Sequence, residues 1–255
     1  MQDCNRYNMS QNYLKLISLN VERDRHLDLV RNFLISEKPD VLCIQEVMES
    51  NFEFLKKELN MDGIFKPMTK HLFTSDNVEG RSGVAILSKM KISDFEAIYY
   101  RGNEGQIKFH DKSTLANLNN TVAKVLIVAK IKYGEDCINI GTTHFTWTPD
   151  GMADDVQRED LDKLLSLLSK YKDVVFCGDF NAPRGWEIFN KIASIYKDNI
   201  PLKYDSSIDP NLHRVKNLRY MVDHLFSTKE YLIKDVELRE GVSDHKAVIG
   251  YISKK

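Results

Sequence analysis

Eight polar residues of this chain stand at or beside the ends of apolar, strand-like runs. Asn20 closes LKLISLN, Glu46 closes DVLCIQE, and His144 follows CINIGTT. Asp179 closes DVVFCGD with Asn181 just beyond it, Asp223 lies inside MVDHLFS, and Asp244 and His245 immediately precede KAVIGYI. In open α/β sheets, ligands gather at the carboxyl ends of strands. Polar groups delivered there by several separate strands therefore imply one convergent site. The residue types suit hydrolysis of a phosphate ester, which needs the non-bridging oxygens neutralised, a water activated and the leaving oxygen assisted. A hard cation such as Mg²⁺ prefers carboxylate oxygen and keeps several waters, and it acts as Lewis acid and template. Glu46 and the other carboxylates can ligate it. Asn and His side chains can hydrogen-bond phosphate oxygens as charge builds, and a carboxylate can take the proton of the attacking water.

Each residue taken alone has a plainer reading. Asn20 can close a strand through an Asx turn, and Asp179 with Asn181 can be turn chemistry ahead of a helix. A lone histidine is more often structural than catalytic. Asp223 resists such a reading, because a carboxylate inside an apolar strand needs a partner. Around this set lie further candidates for substrate contact. Arg81 precedes GVAILS and either reaches phosphate or stays solvated; Arg184, close behind GDFN, is the better placed. Trp147 follows His144 closely and either lines the mouth of the site or packs. His213 and Arg214 fall in an aperiodic stretch, 200–219, that also carries Lys203, Lys216 and Arg219. A local basic wall of this kind would steer a polyanion without making the whole protein basic.

The elements that must position these groups follow from hydrophobic periodicity. LKLISLN (14–20) and DVLCIQE (40–46) read as strands, and DRHLDLVRNFLISEK between them places Leu27, Val30 and Leu34 at helical spacing before Pro39. The result is a β–α–β unit with parallel strands. Ser50 and Glu53 form a capping-box pattern for a second helix running through Leu59. GVAILS (83–88), DFEAIYY (94–100), TVAKVLIVAKIKY (121–133) and CINIGTTHF (137–145) read as strands, with turns such as 133–136 favouring antiparallel pairing. A helix over 154–170 sets Val156, Leu161, Leu164, Leu165 and Leu168 on one face, DVVFCGD (173–179) is a strand, and another helix starts near Gly185. MVDHLFS, DVELRE and KAVIGYI add strands near the end. Two packed sheets with helices outside suit this order, and residues 200–219 form a long loop of the kind that often carries function.

Composition narrows the class. A formal charge of −1 and a pI near 6.7 count against a chain-wide nucleic-acid surface but leave room for a local basic groove. The cysteines Cys4, Cys43, Cys137 and Cys177 have no CxxC spacing, which argues against a zinc site or a disulfide framework and suits a reducing compartment. MQDCNRYNMSQNY lacks an apolar signal core, and no apolar run approaches the ~18 residues needed to span a membrane. The expectation is a cytoplasmic monomer with a flexible segment 1–13 and one domain over 14–255.

The ordered series SLN (18–20), QEV (45–47), SGVAILS (82–88), TTH (142–144), GDFN (178–181), VDHLF (222–226) and SDH (243–245) resembles the endonuclease/exonuclease/phosphatase, or DNase I-like, superfamily. The resemblance implies an α/β four-layer sandwich, two packed mixed β-sheets flanked by helices, and dependence on Mg²⁺ with Mn²⁺ as a substitute. It further implies that Glu46 is the principal metal ligand, with Asn20 and Asp244 beside the metal. Asp179 would orient or deprotonate water, and Asn181 and His144 would bind phosphoryl oxygens. His245 would contact the phosphate opposite the metal, held by Asp223. QEV stands where the abasic-site endonucleases have a QE-x-K pattern, and TTHFTWTP stands where they have a tyrosine-bearing YVPN block. QREDLDKLL is similar to the tyrosyl-DNA phosphodiesterase branch, although GDFN replaces that branch's GDTN. The expected function is a Mg²⁺-dependent phosphodiesterase acting on DNA or RNA. Inositol phosphates, sphingolipids or other small phosphate esters are the alternative substrates. A non-catalytic binding module is a third reading, against which the complete polar set speaks.

Overall fold

A computed structural model describes residues 13–72 and 79–255; apart from Tyr13, the expected N-terminal segment lies outside the described residues, as does Cys4. The β–α–β unit is present: β1 (Leu14–Asn20) and β2 (Val41–Met48) are joined by α1 (Leu27–Glu37) and pair in parallel. The helix α2 (Glu49–Glu58) follows β2 directly. Its N-cap is Met48, with no side-chain capping bond, so the expected capping box at Ser50 and Glu53 does not form. The helix begins ahead of Ser50, and that hydroxyl falls inside its first turn.

The antiparallel middle of the chain comprises β3 (Asp62–Leu72), β4 (Glu79–Ser88), β5 (Ile92–Arg101), β6 (Lys124–Tyr133) and β7 (Asp136–Thr142). A short helix α3 (Leu115–Thr121), capped by the Thr114 hydroxyl, lies between β5 and β6. Then come α4 (Asp155–Leu168), β8 (Val175–Asp179), α5 (Glu187–Ala193), the two-residue β9 (Lys197–Asp198), β10 (Asp223–Ser227), β11 (Tyr231–Arg239) and β12 (Ala247–Lys254). The first sheet has the order β11-β12-β1-β2-β4-β3 and the second β5-β6-β7-β8-β10-β9. Both are mixed, since β1–β2 and β7–β8 are parallel and the other pairings antiparallel. Among the described residues no helix is long and apolar enough to cross a membrane.

Strand alternation divides the apolar residues into layers. One set, including Leu16, Val41, Cys43, Ile86, Ile127, Val175, Cys177 and Leu225, fills the space between the sheets. The opposite face of the first sheet, with Ile17, Leu19, Leu42 and Ile44, packs on Val30 and Leu34 of α1 and Phe52 and Leu55 of α2. The outer face of the second sheet, with Phe176 and Phe226, packs on Leu161, Leu164 and Leu168 of α4 and Ile188 and Phe189 of α5. The chain is thus a helix–sheet–sheet–helix sandwich. Cys43 and Cys177 reach the middle layer from opposite sheets as free, buried thiols.

Candidate active site

The same alternation decides which polar groups meet. In β1, Leu14 and Leu16 face the middle layer while Ile17 and Leu19 face the helices, so the period of two turns Asn20 inward. In β8, Val175 and Cys177 face inward, and so does Asp179; in β10, Leu225 and hence Asp223 do the same. Glu46 ought to face outward, since Leu42 and Ile44 do. A β-bulge between Ile44 and Val47 changes this, and the Glu46 backbone takes φ +55, a left-handed conformation. Val47 returns to the outer face, so Gln45 and Glu46 both turn inward. Bulges of this kind re-aim side chains next to functional sites. The inward groups collect at one rim of the sandwich.

Asp179 and Asp223 are direct cross-strand partners on β8 and β10. Two adjacent buried carboxylates repel, and the surroundings compensate. Asp179 Oδ1 accepts the Asn181 amide at 2.8 Å, and Oδ2 accepts Asn20 Nδ2 at 3.0 Å. Asn20 Nδ2 also lies 3.4 Å from Glu46 Oε1, while its Oδ1 accepts the Glu22 amide at 3.1 Å. Asn20 therefore orders the carboxylates on either side of it. Asp223 pairs with His245, whose Nδ1 lies 2.7 Å from Asp223 Oδ2. The other ring nitrogens nearby, His144 Nε2 and His245 Nε2, stand 3.5 and 3.9 Å from Asp179 Oδ2. Gly178 makes this crowding feasible: at φ +145, a Cβ there would come within 2.0 Å of the Thr143 carbonyl.

Electrostatics separate the two histidines. Burial opposes charging of His245, but the Asp223 and Asp179 carboxylates outweigh it and hold the imidazolium well above its ordinary range. Burial and the nearby Lys124 ammonium push His144 well below its own, so it stays neutral. Burial pushes the Asp179 carboxyl up to about 7, against the stabilising charge of His245. Burial and then Asp244 raise Glu46 as well. A cation delivered to this rim would relieve the repulsion between Glu46 and Asp244, and oxygen-rich carboxylate donors suit Mg²⁺ or Mn²⁺.

Three braces that went unread in the sequence hold the site. Lys124 is buried and donates to the His144 and Phe145 carbonyls at 3.2 and 2.9 Å; burial and then Arg101 depress its ammonium to about 7. Asp160 and Gln157 of α4 tie down Thr146, by its hydroxyl and carbonyl respectively. The stretch 200–219 is more than a surface loop. Ser207 Oγ accepts the Val222 and Asp223 amides, both at 3.0 Å, Ile208 bridges His245, and Asp209 N–H donates to the Asp244 carbonyl. The His213 ring sits 6.4 Å from that of His245, and Arg214 is exposed with Nε 3.0 Å from Glu22.

Other substrate candidates fare differently. Trp147 is about half exposed beside His144. Arg81 is engaged bidentately by Glu49. The expectation for Arg184 does not hold: its guanidinium is buried, donates to the carbonyls of Ile200, Pro201 and Tyr204, and pairs with Asp198 at 2.9 Å. It anchors the loop, its guanidinium taken up by Asp198 and these three carbonyls. Asn181 has φ +48 and donates Nδ2 to the Phe145 carbonyl at 3.1 Å. Asp244 lies at the rim, close enough to Glu46 to repel it. Sequence reasoning missed Glu22 and His26, which lie beside Asp244. Their signal was the short spacing behind Asn20, in a turn with no hydrophobic period.

The arrangement has relatives. An endonuclease/exonuclease/phosphatase from Bacteroides vulgatus superposes with a TM-score of 0.71 at 17% identity, covering 96% of this chain and 100% of that one. Humanized TDP2 from D. rerio gives 0.66 at 16% identity, with 95% and 99% covered. A mannosyl-6-phosphatase from Bacteroides thetaiotaomicron VPI-5482 gives 0.66 at 13% identity, with 94% and 99% covered. At these identities the likeness is one of fold alone. A search of curated proteins finds no sequence match. The profile of the Endonuclease/Exonuclease/phosphatase family, however, matches residues 17–245, from the middle of β1 to the histidine ahead of β12, and the chain belongs to that family.

Proposed function

We propose that the protein is a Mg²⁺-dependent phosphodiesterase, with Mn²⁺ as a substitute, whose leading substrate class is nucleic acid. The observation that carries this reading is the convergence on Asp179 Oδ2 of Asn20, His144 and His245, with Glu46 tied to the same Asn20. The bound cation would be held by Glu46 and Asp244 and would supply Lewis-acid neutralisation of phosphate oxygen. Asp179 takes the proton of the attacking water; a carboxyl lifted to about 7 is a stronger base than a solvated one. His245, kept charged by Asp223, presents Nε2–H to the phosphate as negative charge grows. Neutral His144 and Asn181 offer further contacts to its oxygens.

Exposed Trp147 gives a base a stacking face, and exposed Arg214, Lys216 and Arg219 face a polyanion. A second reading, a small phosphate monoester or diester, is favoured by the net charge of −1. The free, buried thiols Cys43 and Cys177 suit a cytoplasmic setting. The test is metal-dependent hydrolysis of bis-p-nitrophenyl phosphate by wild type and Asp179→Asn, followed by a panel of DNA, RNA, 5′-tyrosyl DNA, inositol phosphates, sugar phosphates and sphingomyelin. Turnover confined to sugar or inositol phosphates would replace the nucleic-acid assignment. Equal hydrolysis by Asp179→Asn would remove the catalytic one.

A further inference from the structure

Beside Glu46 lies a cluster of which the proposed hydrolytic mechanism uses Asp244 alone. Glu22 and Asp244 are buried and His26 is partly buried, and one ligating atom from each lies within 4.8 Å of the other two. His26 Nε2 stands 3.1 Å from Glu22 Oε2. That is the separation of adjacent ligands around one ion, whose bonds run about 2.0–2.2 Å. The residue occupies the N-cap of α1, where its ring makes no capping bond. Glu22 Oε1 is buried and accepts no hydrogen bond. Arg25 Nε at 3.4 Å and Arg214 Nε at 3.0 Å lie near enough for charge attraction but not in donor geometry. A buried carboxylate oxygen without a donor is costly unless something else satisfies it. On Asp244, Oδ1 accepts the neighbouring Ser243 hydroxyl at 3.2 Å.

We propose that His26 joins Glu22 and Asp244 as a direct ligand of a divalent cation, so that this flank prefers Mn²⁺ to Mg²⁺. The argument is one of donor type. Mg²⁺ takes oxygen ligands and gives up water reluctantly, whereas an imidazole nitrogen suits borderline transition ions; Mn²⁺ accepts both donors. Arg25 and Arg214 are both exposed and long, and can swing away as the cation replaces them at Glu22 Oε1.

The inference rests on reading this rim as a divalent-cation site. It is tested without substrate, so its failure is separable from a failure of hydrolysis. Mn²⁺ binding to the full chain is titrated by electron paramagnetic resonance, with Mg²⁺ as competitor. Wild type should favour Mn²⁺ by at least about tenfold, and His26→Gln, which can still hydrogen-bond Glu22, should lose most of that preference, since losing even an outer partner costs roughly 10–100-fold in metal affinity. Pulsed measurements should show ¹⁴N coupling to Mn²⁺ in wild type and in His144→Gln, but not in His26→Gln. Should the His26 variant fold poorly, wild type alone decides: trace Mn²⁺ must broaden the His26 ring resonances ahead of those of His213. An unchanged Mn²⁺/Mg²⁺ ratio, ¹⁴N coupling that survives in His26→Gln, His213 broadening first, or no Mn²⁺ binding at millimolar concentrations would each overturn the proposal.

Discussion

The two flanks of the cleft are built on opposite principles. On the second-sheet flank every charge has its counterpart: Asp223 holds His245, and both oxygens of Asp179 accept hydrogen bonds. On the first-sheet flank the carboxylates crowd one another, and Glu22 leans on the exposed side chains of Arg25 and Arg214 at 3.4 and 3.0 Å. Glu46 rests on a strained bulge beside Asp244, which repels it, and Glu22 keeps a buried oxygen with no donor. Buried like charges are tolerated only where something compensates them. The first flank therefore suits the divalent cation proposed above, while the second already holds its charges in hydrogen-bonded pairs. Preorganised dipoles need no reorganisation at the moment of reaction, so the flank proposed to handle protons is the one whose groups are already hydrogen-bonded in place.

This contrast can be broken experimentally. The largest effect is expected from Asp179→Asn, which should lower the rate of diester hydrolysis by about 10³–10⁴-fold while the fold keeps its melting temperature. A loss below tenfold would mean that the second flank does not carry the chemistry. Asp223→Asn should cost roughly 10²-fold and alter the pH–rate profile in a definite direction. His245 owes its raised pKa to Asp223 and Asp179. Removing one carboxylate lowers that pKa, so the alkaline fall in rate should begin at lower pH. An unmoved alkaline limb would release His245 from its charged role.

Glu46→Gln sharpens the other side of the comparison. The Mg²⁺ concentration for half-activation should rise by about tenfold or more, and in EDTA the variant should melt slightly higher than wild type, because a carboxylate repelled by Asp244 is gone. A lower melting temperature in EDTA would show that Glu46 is satisfied without a cation. The smallest effect belongs to the rim. Arg214→Ala should reduce the salt-dependence slope for a long oligonucleotide by about one and leave a small diester unaffected. Equal salt slopes would make Arg214 an ordinary surface charge.

What could be read in the chain, and what could not, follows from the strength of local periodicity. LKLISLN and DVVFCGD are continuous apolar strands and appear as β1 and β8 with Asn20 and Asp179 at their ends. β3, DGIFKPMTKHL, alternates poorly and carries Pro67, next to which its register breaks; nothing local marks it as a strand. α3, LANLNNT, carries three Asn and one Thr, weak helix formers, among its seven residues and is held by the Thr114 cap. The bulge at Glu46 breaks the period of two, so the motif was legible while the means of aiming its carboxylate was not. Arg184 shows the reverse failure. Proximity to GDFN suggested a ligand, yet the destination of a long side chain depends on Asp198 and the carbonyls at 200–204, which meet it only after folding. Ser207 and Asp209 were hidden for the same reason: a brace has no motif of its own.

The place of β1 in the first sheet, between β2 and β12, bears on how the protein is made. Residues 14–20 leave the ribosome before 41–45, their parallel partner, and well before 248–252, which close their other edge. At roughly 5–20 residues per second, that edge stays open for more than ten seconds. His245 emerges just before the closing strand. A growing chain therefore holds Glu22 and Glu46 long before it holds Asp244 and His245, and under the proposed mechanism it would not cleave a phosphate ester until this last stretch is made. For an enzyme that we propose acts on nucleic acid, that order keeps the half-made product inert beside the message being read.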